Sequence, residues 1–260
     1  MPTRLKFTLH GVQSQNPFVH AQALQGLVYS WIKAVDPNRS QTLHDSASSK
    51  PLSISPLAVV SDNLSAFYVT CLDDALACTV CKGADCHGNS IHLKAPSEVK
   101  TFTLDSNIEF VDESSWTKIE YESLAAYAWR IHLLSPTVCR KKGRLLPLPD
   151  PVNYFSSWYF RWESFAPKSL EAPTLLDFVK DHIDVIGFSG ETVKIPVNEN
   201  QEAFPGFTGT VEFAVRKSKL VDSTLLKKLD CLVSLGDFSG TGAQTMRGMG
   251  QTRTERLKSH

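Results

Sequence analysis

The chain has no apolar run approaching the roughly 18 residues of a membrane span. Its start, MPTRLKFTLHG, lacks the apolar core and cleavage site of a secretory signal. Both absences predict a cytoplasmic protein with no membrane partner. Cysteine is sparse, six in 260 residues, too few for a disulfide scaffold, and a reducing compartment would keep them as thiols unless they hold metal. Net charge is missing as well: 27 Lys and Arg balance 27 Asp and Glu, so no whole-molecule field would hold the protein on nucleic acid or anionic lipid. Any polyanion partner must therefore meet a local patch. What is present is ordinary globular composition, 42% hydrophobic and 10% aromatic, which excludes disorder, collagen and coiled coil.

The neutrality conceals a pattern. Residues 97 to 122 hold seven acidic side chains against two basic, 135 to 170 hold six basic against two acidic, and 216 to 260 hold nine basic against four acidic. An acidic middle flanked by basic segments predicts a polarised surface.

Periodicity supplies the elements. LKFTLH alternates Leu5, Phe7 and Leu9 as a strand. From His20 to Val35, Leu24, Leu27, Val28, Trp31, Ile32 and Val35 recur at helical spacing until Asp36-Pro37, with Tyr29 off that stripe beside Gln22, Gln25 and Lys33. A polar loop over 38–51 leads to the strands SISPLAVV and SAFYVTCL, a short helix ALACTVCK ended by Gly83, and a strand TFTLDSNIEFV. The second half repeats the order with WRIHLLSPT, a loop RKKGRLLPLPDP, the helix NYFSSWYFRWESF, an apolar stretch over 175–186 as a further helix, extended segments at 192–197 and GTVEFAVRK, a helix from Asp222 or Ser223, and a polar strand through Arg253. The fold class predicted is α+β: two tandem ferredoxin-like, RRM-like βαββαβ domains with antiparallel sheets, residues 1–122 carrying the polar loop over 38–51 and 123–260 the Gly-rich loop.

Three constellations could carry chemistry. The segment FSGTGAQTMRGMGQTR places Gly240, Gly242, Gly248 and Gly250 where backbone can approach a ligand, with Gln244, Arg247 and Arg253 as donors to phosphate or base edges. A helix precedes this loop and a strand follows, the reverse of the Rossmann and Walker arrangements, so a nucleotide cradle is disfavoured. Cys78, Cys81, Cys86 and His87, with Cys71 and His92 nearby, could compose a zinc site. However, Cys78 and Cys81 fall in a helix and no second CxxC pair completes the set, which favours incidental cysteines and no metal. Finally, Tyr29, His44 and Lys50 could converge on one phosphate. An imidazole would move a proton, a cation would hold charge and a phenol would orient, with no carboxylate cluster to recruit magnesium.

Three blocks resemble the CRISPR-associated Cas-six (Cas6) endoribonucleases, which cut the repeats of a long precursor transcript into guide RNAs. LQGLVYSWIKAVDPNRSQTLHDSASSKPLSISPL is similar to that family's first helix, catalytic loop and following strand; RIHLLSPTVCRKKGRLLPLPDPVNYFSSWYFRWESF to the strand, loop and helix of its second domain; and FTGTVEFAV with FSGTGAQTMRGMGQT to its last strands and Gly-rich loop. The resemblance implies that Tyr29, His44 and Lys50 match a tyrosine, histidine and lysine set of some members, and that the reaction needs no cofactor. Cys78 to His92 has no counterpart in these blocks.

RNA chemistry then dictates a mechanism. The 2′-hydroxyl beside the scissile phosphate attacks in line with the departing 5′-oxygen, leaving a 2′,3′-cyclic phosphate and a 5′-hydroxyl. His44 would move a proton, Lys50 would hold the phosphoryl charge and Tyr29 would orient or share the transfer. Arg140, Lys141, Lys142 and Arg144, with Arg247 and Arg253 around the glycines, are the candidate contacts to repeat RNA, both precursor and mature guide. CRISPR effector-complex subunits are further expected partners, and the chain would act as a monomer or homodimer. Two other classes are a non-catalytic repeat-RNA-binding subunit of an effector complex and a zinc-dependent protein centred on Cys78 to His87. Trp158 and Trp162, at helical spacing among apolar neighbours, are expected in the core.

Overall fold

The structure, a computed structural model, describes residues 1–11, 16–45, 49–94, 99–195, 203–216 and 221–258. These form two units. The first comprises Met1–Glu113, Ile195–Phe204 and Thr245–Gly248; the second, Ser114–Lys194, Pro205–Gln244 and Met249–His260. Among the described residues no helix is long and apolar enough to cross a membrane.

The first unit runs β1 (Thr3–His10), α1 (Ala21–Val35), α2 (Pro37–Asp45), β2 (Leu52–Ile54), β3 (Ala58–Ser61), β4 (Leu64–Cys71), α3 (Asp74–His87), β5 (Ser90–Lys94), β6 (Val99–Leu104) and β7 (Glu109–Glu113). Leu5, Phe7 and Leu9 are fully buried on β1, as the alternation predicts. The antiparallel register sets Phe7 opposite Phe67 of β4, with their rings stacked 5.2 Å apart. The sheet order is β2-β4-β1-β6-β5, with β3 also on β4 and β7 also on β1. The expected strand SISPLAVV is divided into β2 and β3 around Pro56, which has no N–H to give to a ladder. TFTLDSNIEFV likewise divides into β6 and β7, because the Asp105 carboxylate accepts the Asn107 N–H and turns the chain. The hairpin strand β5 was not anticipated.

Two helices depart from the expected pattern. The residues after Asp36 form α2 rather than a loop. Asp36 Oδ1 accepts the Arg39 N–H while Pro37 occupies the first helical turn, where its missing donor costs nothing, so one dipeptide ends α1 and starts α2. Residues 46–48 of the expected loop lie outside the described residues. The second departure is α3, which Asp73 caps by accepting from the Leu76 N–H. This helix passes through Gly83 and ends at Gly88. Gly83 is a contact residue: a Cβ there would lie 2.2 Å from the Trp31 carbonyl oxygen, where α1 and α3 pack side by side.

The second unit runs α4 (Trp116–Tyr121), β8 (Ala128–Thr137), β9 (Cys139–Lys141), β10 (Arg144–Leu146), α5 (Pro151–Phe165), α6 (Leu175–His182), β11 (Ile183–Ile195), β12 (Phe204–Val215), α7 (Ser223–Ser239) and β13 (Thr252–Arg256). Its sheet order is β11-β12-β8-β13. The stretch expected as one helix over 175–186 is helical only to His182. Ile183 onward is the long strand β11, which absorbs the extended segment foreseen from Thr192; residues 196–197 lie outside the described residues. Asp150 caps α5 by accepting from the Asn153 N–H, and Tyr154, Phe155, Trp158 and Trp162 are buried along it, so both tryptophans are core. Beneath α7, fully buried Asp230 accepts from Trp129 Nε1, the Leu124 N–H and the Arg256 guanidinium, so its charge and lone pairs are satisfied. In both units a β-α-β-β-α-β path gives an antiparallel sheet whose first and third principal strands are central: two ferredoxin-like domains.

Candidate active site

The apolar stripe of α1 buries Leu24, Leu27, Val28, Trp31 and Ile32, which leaves Gln22, Gln25, Tyr29 and Lys33 on its outer side. α2 then lies along α1, with Ser40 Oγ donating to the Tyr29 carbonyl. Leu43, in the last turn of α2, is buried in the core of the first unit, and this fixes His44 at the surface beside it.

The three residues expected to act together do meet. Tyr29 Oη donates to the Leu43 carbonyl at 3.3 Å, Lys50 Nζ donates to the same carbonyl and to that of His44, and the Tyr29 and His44 rings lie 6.1 Å apart edge to face. His44 is 76% exposed, and its Nδ1 sits 3.2 Å from Asp45 Oδ1. With the proton on Nδ1 and directed at that carboxylate, Nε2 has a lone pair for proton transfer. Gln41 and then His44 hold the Asp45 carboxyl below its usual value; partial burial raises the Tyr29 phenol and lowers the Lys50 amine.

A cavity of about 520 Å³ opens between α1 and α2. Tyr29, Lys33, Gln41, His44, Gln25 and Arg247 are on its wall, and among the described residues no carboxylate lines it. Lys50 is not on this wall; it grips the His44 turn by its carbonyls. Lys33 and Gln41 were not among the sequence-derived candidates, although the polar side of α1 was visible around Tyr29.

The Gly-rich loop is a packed structure. Thr245–Arg247 forms a single 3-10 turn belonging to the first unit, with Met246 in that unit's core and Arg247 Nε donating to Gln25 Oε1 at 3.1 Å. Gly248 follows at φ +80, and a Cβ there would press on Pro56 at 3.1 Å. The remaining glycines spend their backbone groups inside the second unit. The Gly240 N–H donates to Gly236 O, and the Gly250 N–H to Pro136 O. The Gly242 N–H donates to Ser157 Oγ at 2.8 Å, while the Gly242 carbonyl accepts from Arg161, a buried guanidinium pushed down to about 10 by desolvation. Gln244 is half-buried with φ +61.

Arg140, Lys141, Lys142 and Arg144 are exposed on the β9–β10 hairpin, a structure hidden in what reads as loop sequence. Lys142 and Gly143, at φ +49 and +78, are its two-residue turn, the primed geometry that suits twisted strands. Arg253 is exposed on β13, opposite His132 of β8. Cys78, Cys81 and Cys86 lie along α3, and among the described residues no three His, Cys, Asp or Glu side chains are grouped to hold a metal ion.

Comparison with known proteins agrees with this architecture. The family model of the CRISPR-associated endoribonuclease Cas6 matches residues 131–252. A Mycobacterium tuberculosis Cas6 endoribonuclease is 26% identical over 161 residues, 62% of this chain and 49% of the relative. One from Streptococcus thermophilus is 26% identical over 125 residues, 48% of this chain and 49% of that relative. The chain thus spans about half the length of the curated relatives it matches. Among solved structures, a Thermus thermophilus Cas6 product complex superposes with TM-score 0.81 at 24% identity, covering 98% of this chain and 99% of that one. A Cas6 substrate mimic complex gives 0.73 at 17%, covering 98% and 99%. By sequence over part of its length, and by fold over nearly all of it, the chain is similar to Cas6 endoribonucleases.

Proposed function

We propose that the chain is a metal-independent endoribonuclease that cuts CRISPR repeat RNA in a precursor transcript to release guide RNAs. The observation that carries this reading is the His44 cavity. An imidazole able to move a proton faces a wall that carries basic side chains and, among the described residues, no carboxylate, which suits a phosphodiester better than a magnesium site. The relatives matched by sequence are named as Cas6 endoribonucleases, and a more distant structural neighbour, at TM-score 0.64, is described as a RAMP protein binding different RNA substrates.

In the reaction, the RNA 2′-oxygen bonds to phosphorus as the bond to the 5′-oxygen breaks. The 2′-hydroxyl proton leaves to a base and the departing oxygen gains a proton, so a 2′,3′-cyclic phosphate and a 5′-hydroxyl result. His44 carries one of these transfers. Tyr29 and Lys50 hold the turn that presents it, and Lys50 adds positive charge beside it. Arg140, Lys141, Lys142, Arg144 and Arg253, with Gln244 and Arg247 of the Gly-rich loop, contact phosphates or base edges of the repeat. Cleavage of end-labelled repeat RNA in excess EDTA, with product ends assigned, tests the proposal. Single-site cutting with cyclic-phosphate ends supports it, whereas tight binding without cutting would make the chain a guide-binding subunit.

A further inference from the structure

The cation that faces the same cavity as His44 and is fixed there is Arg247. Lys50 directs its ammonium at the Leu43 and His44 carbonyls and is not on the cavity wall. Lys33 is on the wall, but it is exposed near the end of α1 with a four-carbon stem. Arg247 differs from both. Its backbone is set by Met246, 6% exposed in the core one residue before, and by Gly248, whose positive φ and close approach to Pro56 admit no side chain one residue after. Its side chain is aimed by Gln25, which occupies α1 one turn before Tyr29 and accepts from Nε. That bond uses the single inner nitrogen; the two terminal nitrogens form the fork by which a guanidinium grips two phosphate oxygens. Among the described residues no carboxylate lines the cavity to neutralise that charge.

We propose that Arg247 is a catalytic residue, its guanidinium holding the non-bridging oxygens of the scissile phosphate in the His44 cavity, and that Gln25 is the residue positioning it. This rests on the reading that the cavity holds a scissile RNA phosphate. As the 2′-oxygen adds to phosphorus, negative charge grows on the non-bridging oxygens. A donor pair already fixed in place stabilises that charge more than it stabilises the ground state. Arg247 takes no proton in the step, so the two proton transfers remain as already balanced.

The distinction between catalysis and affinity is measurable. Single-turnover cleavage at saturating enzyme and equilibrium affinity for the repeat are determined for wild type, Arg247→Ala, Arg247→Lys and Gln25→Ala, each first checked for a wild-type thermal melt. Removal of one preorganised donor group costs roughly 100- to 1,000-fold in rate. Arg247→Ala is expected to lose about that much at saturation while Kd rises less than about fivefold, since one phosphate contact among several is lost. Arg247→Lys recovers only part of the rate because it lacks the fork. Added guanidinium ion restores rate to Arg247→Ala and not to His44→Ala. Gln25→Ala loses about tenfold in rate with affinity unchanged, as expected for a misaimed rather than absent guanidinium. If Arg247→Ala cuts at the wild-type rate once saturated, Arg247 is an affinity contact and the proposal is overturned. If wild type binds the repeat without cutting it, the endonuclease reading has failed and takes this proposal with it. Should Arg247→Ala fail to fold, Gln25→Ala and Arg247→Lys decide by the same split between rate and affinity.

Discussion

Tyr29 and Lys50 share one acceptor, the carbonyl oxygen of Leu43. The last carbonyls of a helix have no partner within it, so this double donation closes the end of α2 at the residue before His44. With the Leu43 side chain in the core, the turn that presents the imidazole is held from both its inner and outer sides.

Removing either donor should therefore slow cleavage more than it weakens binding. Tyr29→Phe loses one neutral hydrogen bond, about 1 kcal/mol, and is expected to cut roughly fivefold slower at saturation. Lys50→Met loses a charged donor, about 1.5–3 kcal/mol, and should cut roughly 10- to 100-fold slower. Single-turnover rates with Kd measured in parallel check both.

The alkaline side of the pH–rate profile should report Lys50. Partial burial holds its amine below the ordinary value of 10.5, although Asp45 pulls in the other direction. The cationic form exists below that lowered value, so the contribution of Lys50 is present at neutral pH and is lost as pH rises through it. The alkaline fall in rate is predicted to begin below 10.5 and to move upward in Lys50→Arg, whose charge persists. An alkaline limb that Lys50→Arg leaves in place would assign it to another group.

Gly83→Ala sets two effects against each other. Helix propensity favours alanine by about 1 kcal/mol. The new methyl would, however, stand 2.2 Å from the Trp31 carbonyl oxygen, a backbone atom that cannot swing aside, and overpacking of this kind costs about 1–3 kcal/mol or more. Net destabilisation is expected, read as a lower urea midpoint at unchanged m-value.

Much of this was legible in the sequence because it is local. The βαββαβ order, the core stripe of α1 and the buried tryptophans of α5 follow from spacing within one element. The convergence of Tyr29, His44 and Lys50 follows from one helix and the segment after it. What stayed hidden depended on distant partners. Gly83 reads as a helix stop, and only the approach of Trp31 explains why the helix continues through it. RKKGRLL reads as loop because its pairing rests on two short strands and a Lys142-Gly143 turn. Arg247 reads as a donor on a flexible loop, and its place beside Gln25, 222 residues away in sequence, required the fold. The α2 helix was hidden differently: its residues are polar, and Asp36 with Pro37 was read as an end rather than as a beginning.

The cysteines give a test of the zinc alternative. Cys78 and Cys86 are exposed, Cys81 is partly covered with its thiol pushed up to about 11 by burial, and Cys71, Cys139 and Cys231 are buried. A disulfide reagent is predicted to modify two thiols quickly, a third slowly and the rest only on unfolding. Excess zinc chelator should leave the melting temperature unchanged; a marked drop would reveal a structural metal.

Whether the His44 cavity cuts RNA without metal is decided by one gel assay. End-labelled CRISPR repeat RNA, alongside the same RNA with a 2′-deoxy sugar at the cut site, is incubated with wild type and His44→Ala in excess EDTA. Wild type is expected to make a single cut with a 2′,3′-cyclic phosphate end. The deoxy substrate should stay uncut, and His44→Ala should lose cutting while retaining repeat binding. Cleavage of the deoxy RNA, or undiminished cleavage by His44→Ala, would contradict the proposed reaction.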